Sequence, residues 1–358
     1  MKNPGPYLKE NLPKVYFFLI AIINAFERIK RPYSIYITDS LGGSFKSYFI
    51  NSDMIGKISE LKRNLDKESI EVLDVIMQRL LNYPDERYKN KTKKHKEIIG
   101  GLLPVEMKLS KKNINEKLKS DKRNLKFLSK HFEESVFYFY HGLSLLPNSI
   151  AEYISDNDFI DAGAFVGDSA IALKEYHYRK IYSIEISRKS IEKYKINMAR
   201  DNISTDKFEI INKCISSTDD KPPVKLLDTG SAGLSLLRKS GKYDEILVEQ
   251  KSIDYIVDKY KISPRFIKVD IEGNGLEFVK GAKETLIKFR PILSIAIYHN
   301  PYEFFEVKPL LEKLLVDYIF MIRKLSTDIK NNACHSEVVL IGSPKEILTV
   351  NQTTLLKC

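Results

Sequence analysis

The sequence is poor in cysteine: Cys214, Cys334 and Cys358 are all it has among 358 residues. Three thiols without a C-x-x-C pair exclude a disulfide framework and a structural zinc ribbon. Such scarcity fits a reducing, cytoplasmic compartment. Long apolar runs are also missing. The longest, Val15 to Phe26, is 12 residues, against the ~20 needed to span a bilayer. Glu27, Arg28, Ile29 and Lys30 follow it where a signal peptide would carry small residues, so it reads as a buried helix, with a membrane-surface helix as the alternative, and no transmembrane segment is expected. The six histidines show neither H-x-x-x-H nor H-E-x-x-H spacing, and no metal site is read from them. A G-x-S-x-G elbow for a serine nucleophile is absent as well.

What is present is ordinary globular composition, 43% hydrophobic and 29% charged, with enough chain for two domains. The net charge of +11 is unevenly placed. Residues 86–130 hold 15 Lys or Arg against 5 Asp or Glu, which leaves the remainder nearly neutral. A lysine-rich stretch is commonly a solvated face, and functionally it suits a phosphate-bearing substrate, an anionic lipid surface or RNA. Aromatic residues do not interleave with these lysines, so a stacking platform for single strands has no support.

Two segments read differently. Residues 1–134 show helical periodicity without strand–helix alternation: Ile70, Leu73, Ile76, Met77, Leu80 and Leu81 fall on one helix face that Pro84 closes. Residues 39–44 (DSLGGS) read as a loop. This part is expected to be a mainly helical accessory domain carrying the basic segment. Residues 135–358 alternate strand-like runs at 158–161, 181–186, 208–215, 266–271 and 292–298 with helical stretches such as 187–200 and 276–288. Further strands are expected at 317–322 and 338–341. The alternation implies an α/β fold, a mostly parallel, doubly wound sheet with ligands at the carboxyl ends of its strands.

Three motifs lie at such ends. The first is the loop Asp161, Ala162, Gly163, Ala164, Phe165, Val166, Gly167, Asp168, Ser169. Its D-x-G-x-x-x-G pattern lacks the third glycine and the lysine of phosphate-binding loops, which suits a ligand whose central part is an amino acid. The second is Glu185, 22 residues after Gly163, near the offset at which an acid meets ribose hydroxyls; Ser187 follows it. The third runs F-I-K-V-D-I-E-G from Phe266 to Gly273, with Lys280-Gly281-Ala282 and Arg290-Pro291 beyond.

These residues, with Tyr298-His299 and Glu337-Val-Val-Leu340, resemble the FkbM family of S-adenosylmethionine-dependent methyltransferases over roughly residues 137–341. Gly275 stands where many members carry a second Glu. The resemblance implies a class I methyltransferase Rossmann-like core with seven strands and S-adenosyl-L-methionine as cofactor. By the same resemblance, Asp161 to Ser169 would hold its methionine part and Glu185 its ribose. Cys214 would lie beside its adenine, and Asp270 near the methyl group. Family association suggests O-methylation of a sugar, glycan or other small molecule, which the basic segment would help if the substrate carries phosphate.

A hydroxyl acceptor must lose a proton, and two groups compete for it. His299 ends the fifth strand and would be substantially neutral near pH 7. Asp270 and Glu272 are i and i+2, so a continuing strand would point them the same way and push one pKa up. His299 is the expected base, with Asp270 positioning donor or acceptor, although a strand-end histidine is equally often structural. His141, just before the core, is a further candidate. A non-catalytic binding protein and an NAD-dependent oxidoreductase are the alternative readings. DNA is not an expected partner, because the basic charge lies outside the core and D-I-E-G replaces an N-P-P-Y-like motif. A homo-oligomer is compatible with the sequence.

Overall fold

The computed structural model describes residues 40–81, 101–128, 132–228, 230, 244–328 and 336–348; the run 15–26 and the lysine tract 89–96 lie outside them. The main sheet has seven strands: β1 Asp158–Ala162, β2 Lys180–Ile184, β3 Phe208–Ile211, β4 Pro264–Val269, β5 Ile292–Ala296, β6 Tyr318–Lys324 and β7 Val338–Pro344. Their spatial order is β6-β7-β5-β4-β1-β2-β3. β1 pairs in parallel with both β2 and β4, while β7 runs antiparallel between β5 and β6. This is the doubly wound order that the resemblance implies. The strand order reverses between β1 and β4, and in open sheets of this kind the ligand cleft lies at that point, beyond the strand ends. Every residue of β1, β5 and β7 is buried, as expected for strands covered on both faces.

The N-terminal helices are α1 Ser40–Ile50, α2 Met54–Lys62, α3 Lys67–Leu81 and α4 Lys108–Asn124. Those of the sheet region are α5 Ser149–Ile154, α6 Asp168–Leu173, α7 Arg188–Arg200, α8 Ile253–Tyr260, α9 Gly275–Gly281, α10 Lys283–Phe289 and α11 Pro301–Leu314. Among the described residues, no helix is long and apolar enough to cross a membrane.

Local differences from the sequence reading have physical causes. The segment 39–44 is helical from Ser40 onward. Its glycines cost a helix about 1 kcal/mol each, but the helix buries Phe45 and Tyr48, and Tyr48 stacks on Phe305 at 5.4 Å. The strand expected over 208–215 stops at Ile211, where the Lys213 amide turns back to the Ile211 carbonyl; Cys214–Ile215 then pairs with Gln250–Lys251. The helix expected over 276–288 breaks at Ala282. A Cβ on Gly281 would sit 2.2 Å from the Ser216 carbonyl oxygen, so only glycine lets the crossing strand pass so close. A hairpin of Val224–Asp228 and Asp244–Val248 was not foreseen.

Among the described residues, the N-terminal helices share their core with the sheet. Phe45, Leu61, Leu73 and Ile76 belong to the same apolar cluster as Ile267, Leu293 and Phe304. α3 lies along β6, where the Ile322 amide donates to Ser69 Oγ at 2.8 Å and Arg323 meets Asp66 at 2.8 Å. At the far end of α3, the buried Arg79 grips both oxygens of Glu106 at 2.7 Å and donates to the Gly101 carbonyl. Lys324 of β6 approaches the same carboxylate at 3.7 Å.

Candidate active site

The loop after β1 is shaped by its glycines. Gly163 has φ +83°, and a Cβ there would lie 1.8 Å from the Asp270 carbonyl oxygen. The backbone of β1 thus comes against that of β4 only because residue 163 is glycine. Lys268, buried in β4, fastens the loop from behind: its ammonium donates to the Gly163 carbonyl at 2.7 Å and pairs with Asp161 at 3.0 Å. Burial opposes the Lys268 charge, but Asp161, Asp270 and Asp168 outweigh it and hold the pKa above its usual value.

Most of the loop lies inside the fold. Asp161 is wholly buried and faces Lys268, so it supports the loop from within. Ala164, Gly167, Asp168 and Ser169 are also buried, and only Gly163 and Phe165 of the loop keep solvent contact. Burial drives the Asp168 carboxyl up to about 7. Ser169 Oγ meets His141 Nε2 at 3.0 Å. His141, buried and held neutral by burial and by Lys268, has its pKa pushed down to about 3.

Glu185 stands just past β2 and faces the loop. Its two carboxylate oxygens accept the amides of Phe165 at 2.8 Å and Ser187 at 2.7 Å. With the Ile186 amide also directed at the carboxylate, one of its four acceptor positions is left, and burial raises the carboxyl's pKa against those bonds. Ser187 is fully buried and does not reach the cleft: its hydroxyl donates to Asp228 and caps α7 by accepting the Ser190 amide. Cys214 remains half-buried beside Ile186 and the 224–248 hairpin.

Across the cleft, β4 ends at Val269, so Asp270 and Glu272 are not consecutive outward positions of a strand; Glu272 has φ +53°. Both nevertheless approach His299. Its Nε2 lies 3.2 Å from Asp270 Oδ1 and 3.7 Å from Glu272 Oε2, and its Nδ1 lies 3.2 Å from Glu303 Oε2. A carboxylate only accepts, so a ring with carboxylates on both nitrogens is favoured as a cation donating from each. Burial would lower the His299 pKa, but Asp270 and Glu303 raise it well above the ordinary value. The expectation of a neutral His299 is thereby corrected. Asp270 moves the opposite way: burial raises its pKa, and the bond to His299 with the charges of His299 and Lys268 overrules burial, leaving it strongly acidic.

Sequence reading gave Glu303 no role. The run H-N-P-x-E held the signal: Asn300 caps α11 by accepting the Glu303 amide at 2.9 Å, Pro301 opens the helix, and Glu303 is four residues past His299. Its other oxygen accepts the Gly275 amide at 2.6 Å, and a Cβ on Gly275 would begin 2.8 Å from that oxygen. The Glu303 carboxylate therefore fills the space beside the position where the family pattern has its second Glu. Tyr298 donates to Glu337 at 3.1 Å, which adds another carboxylate to this wall.

The seven-stranded order, with a glycine cradle at β1, an acid past β2 and a carboxylate-rich wall past β4 and β5, is that of the class I methyltransferase fold. Residues 161–329 match the family model described as the methyltransferase FkbM domain. The chain's fold is similar to that of methyltransferase FkbM from Methylobacillus flagellatus KT, with a TM-score of 0.53 at 16% identity. The match covers 84% of this chain and 60% of that one, so this chain spans well under two thirds of its length. A weaker likeness is to the O-methyltransferase from Bacillus cereus in complex with SAH, at TM-score 0.37 and 12% identity, covering 64% of this chain and 94% of that one. No curated protein matches.

Proposed function

We propose that this protein transfers a methyl group from S-adenosylmethionine to a hydroxyl oxygen of a sugar, glycan or other small molecule. The observation that carries the reading is the Asp270–His299–Glu303 chain of contacts facing the glycine loop at the strand-order reversal. The residues fit the donor. The Gly163 approach brings the loop backbone against the end of β4, Glu185 keeps an acceptor position for a ribose hydroxyl, and Asp270, Glu272 and Glu337 suit a ligand bearing cationic groups. When bound, the donor supplies an electrophilic methyl group on a sulfonium sulfur.

The chain's own work is alignment and proton handling. Alignment alone contributes about 7–11 kcal/mol where the reacting atoms are held in line. Both nitrogens of the His299 cation are occupied, so it holds Asp270 in place and does not take the proton. The ionised Asp270, with the more exposed Glu272 beside it, accepts the hydroxyl's proton. A weakly basic carboxylate suffices, because the hydroxyl becomes strongly acidic as the oxygen–methyl bond forms.

Calorimetric titration with S-adenosylhomocysteine tests the donor site. Binding is expected, with an affinity at least about tenfold weaker in Glu185→Ala. No binding, or tighter binding of NADH, overturns the reading.

A further inference from the structure

A cavity of about 490 Å³ opens between α1, α2 and the start of α11. It lies outside the donor cleft but adjoins it, since Asn300, one of its walls, directly follows His299 and is tied to the Gly273 carbonyl at 2.9 Å. Its volume is in the range of small-ligand sites and exceeds that of one sugar ring.

The chemistry of its walls is specific. Tyr302 is 55% exposed, an unusual state for a large aromatic ring, and packs edge-to-face on Tyr48 at 5.1 Å, which fixes its plane. Lys57 pairs with Glu306 at 2.8 Å, and Tyr48 donates to the same carboxylate at 2.7 Å. Among the described residues, the cavity's one cation and one anion therefore neutralise each other, which disfavours a phosphate or a carboxylate ligand. Both remain partly exposed and keep hydrogen-bonding capacity, as does Asn51. A fixed aromatic face beside a neutral set of donors and acceptors matches a ring that is apolar on its face and hydroxylated at its edge.

We propose that this cavity binds a neutral carbohydrate ring, stacked on Tyr302 with its hydroxyls on the Lys57–Glu306 pair, and that the N-terminal helices thereby present the acceptor to the cleft. The acceptor role rests on the proposed methyl transfer; the binding itself does not.

Saturation-transfer NMR with methyl glycosides of glucose, galactose, mannose, fucose and rhamnose tests it. At least one is expected to bind. Its affinity falls about tenfold in Tyr302→Ala and survives in Tyr302→Phe. Glucose 1-phosphate is expected to bind no more tightly than methyl glucoside. The proposal is overturned if no glycoside binds, if Tyr302→Ala leaves the affinity unchanged, or if the phosphate binds tenfold more tightly. Tyr302 lies on the surface, so its replacement spares the fold, and calorimetry with S-adenosylhomocysteine on the same variant reads the donor site separately. Failure of that titration removes the methyltransferase reading and leaves the glycoside result to judge the cavity.

Discussion

At the scale of single residues, His299 joins two carboxylates, Asp270 and Glu303, that would otherwise repel each other within one wall of the cleft. Its folded pKa lies above its unfolded value near 6.5. The stability it contributes is thus fully present below about pH 6.5 and is lost as pH rises through the raised folded value. Asp270, with its folded pKa depressed, contributes above its unfolded value near 3.8 and loses that contribution in stronger acid. In thermal melts, His299→Gln should lower Tm more at pH 6 than at pH 9; an equal deficit at both would show that the ring is not cationic. Methyl transfer in the same variant should fall by at least about a hundredfold, with S-adenosylhomocysteine affinity nearly intact. A fully active variant would remove His299 from the site.

At the scale of elements, legibility followed sequence distance. The strand–helix alternation and the loop 161–169 could be read directly, because a β-strand, a positive-φ glycine and a helix start are local patterns. Contacts between distant segments could not. His141 meets Ser169 across 28 residues, and the Ser216 carbonyl comes against Gly281 at the end of α9 across some sixty. Lys268 belonged to a motif whose pattern gave no hint that it would tie down the loop after β1. The ion group at the end of α3 is a further case: Arg79, Glu106 and Lys324 come from three separate stretches, and both side chains of the Arg79–Glu106 pair are almost completely buried. Removing one partner strands the other's charge. Glu106→Ala is expected to cost about 3–5 kcal/mol in urea unfolding, whereas a loss below about 1 kcal/mol would mean that water reaches Arg79.

At the scale of the whole molecule, the apolar cluster that joins α1–α3 to β4, β5 and α11 makes the first helices part of the sheet's stability. Differential scanning calorimetry should show one cooperative transition whose van't Hoff and calorimetric enthalpies agree. Two separated transitions would mean that the N-terminal helices and the sheet unfold independently. The contact between α3 and β6 has a consequence for self-association. β6 is an outer strand of the sheet, and such strands invite pairing with a second molecule. Here the Ile322 amide is already occupied by Ser69, and Arg323 is pinned by Asp66. β3, at the opposite border, offers a run of four residues. Neither border is suited to strand addition, so any dimer of this protein should be built from helix faces and side chains, without continuing the sheet from one subunit into the next.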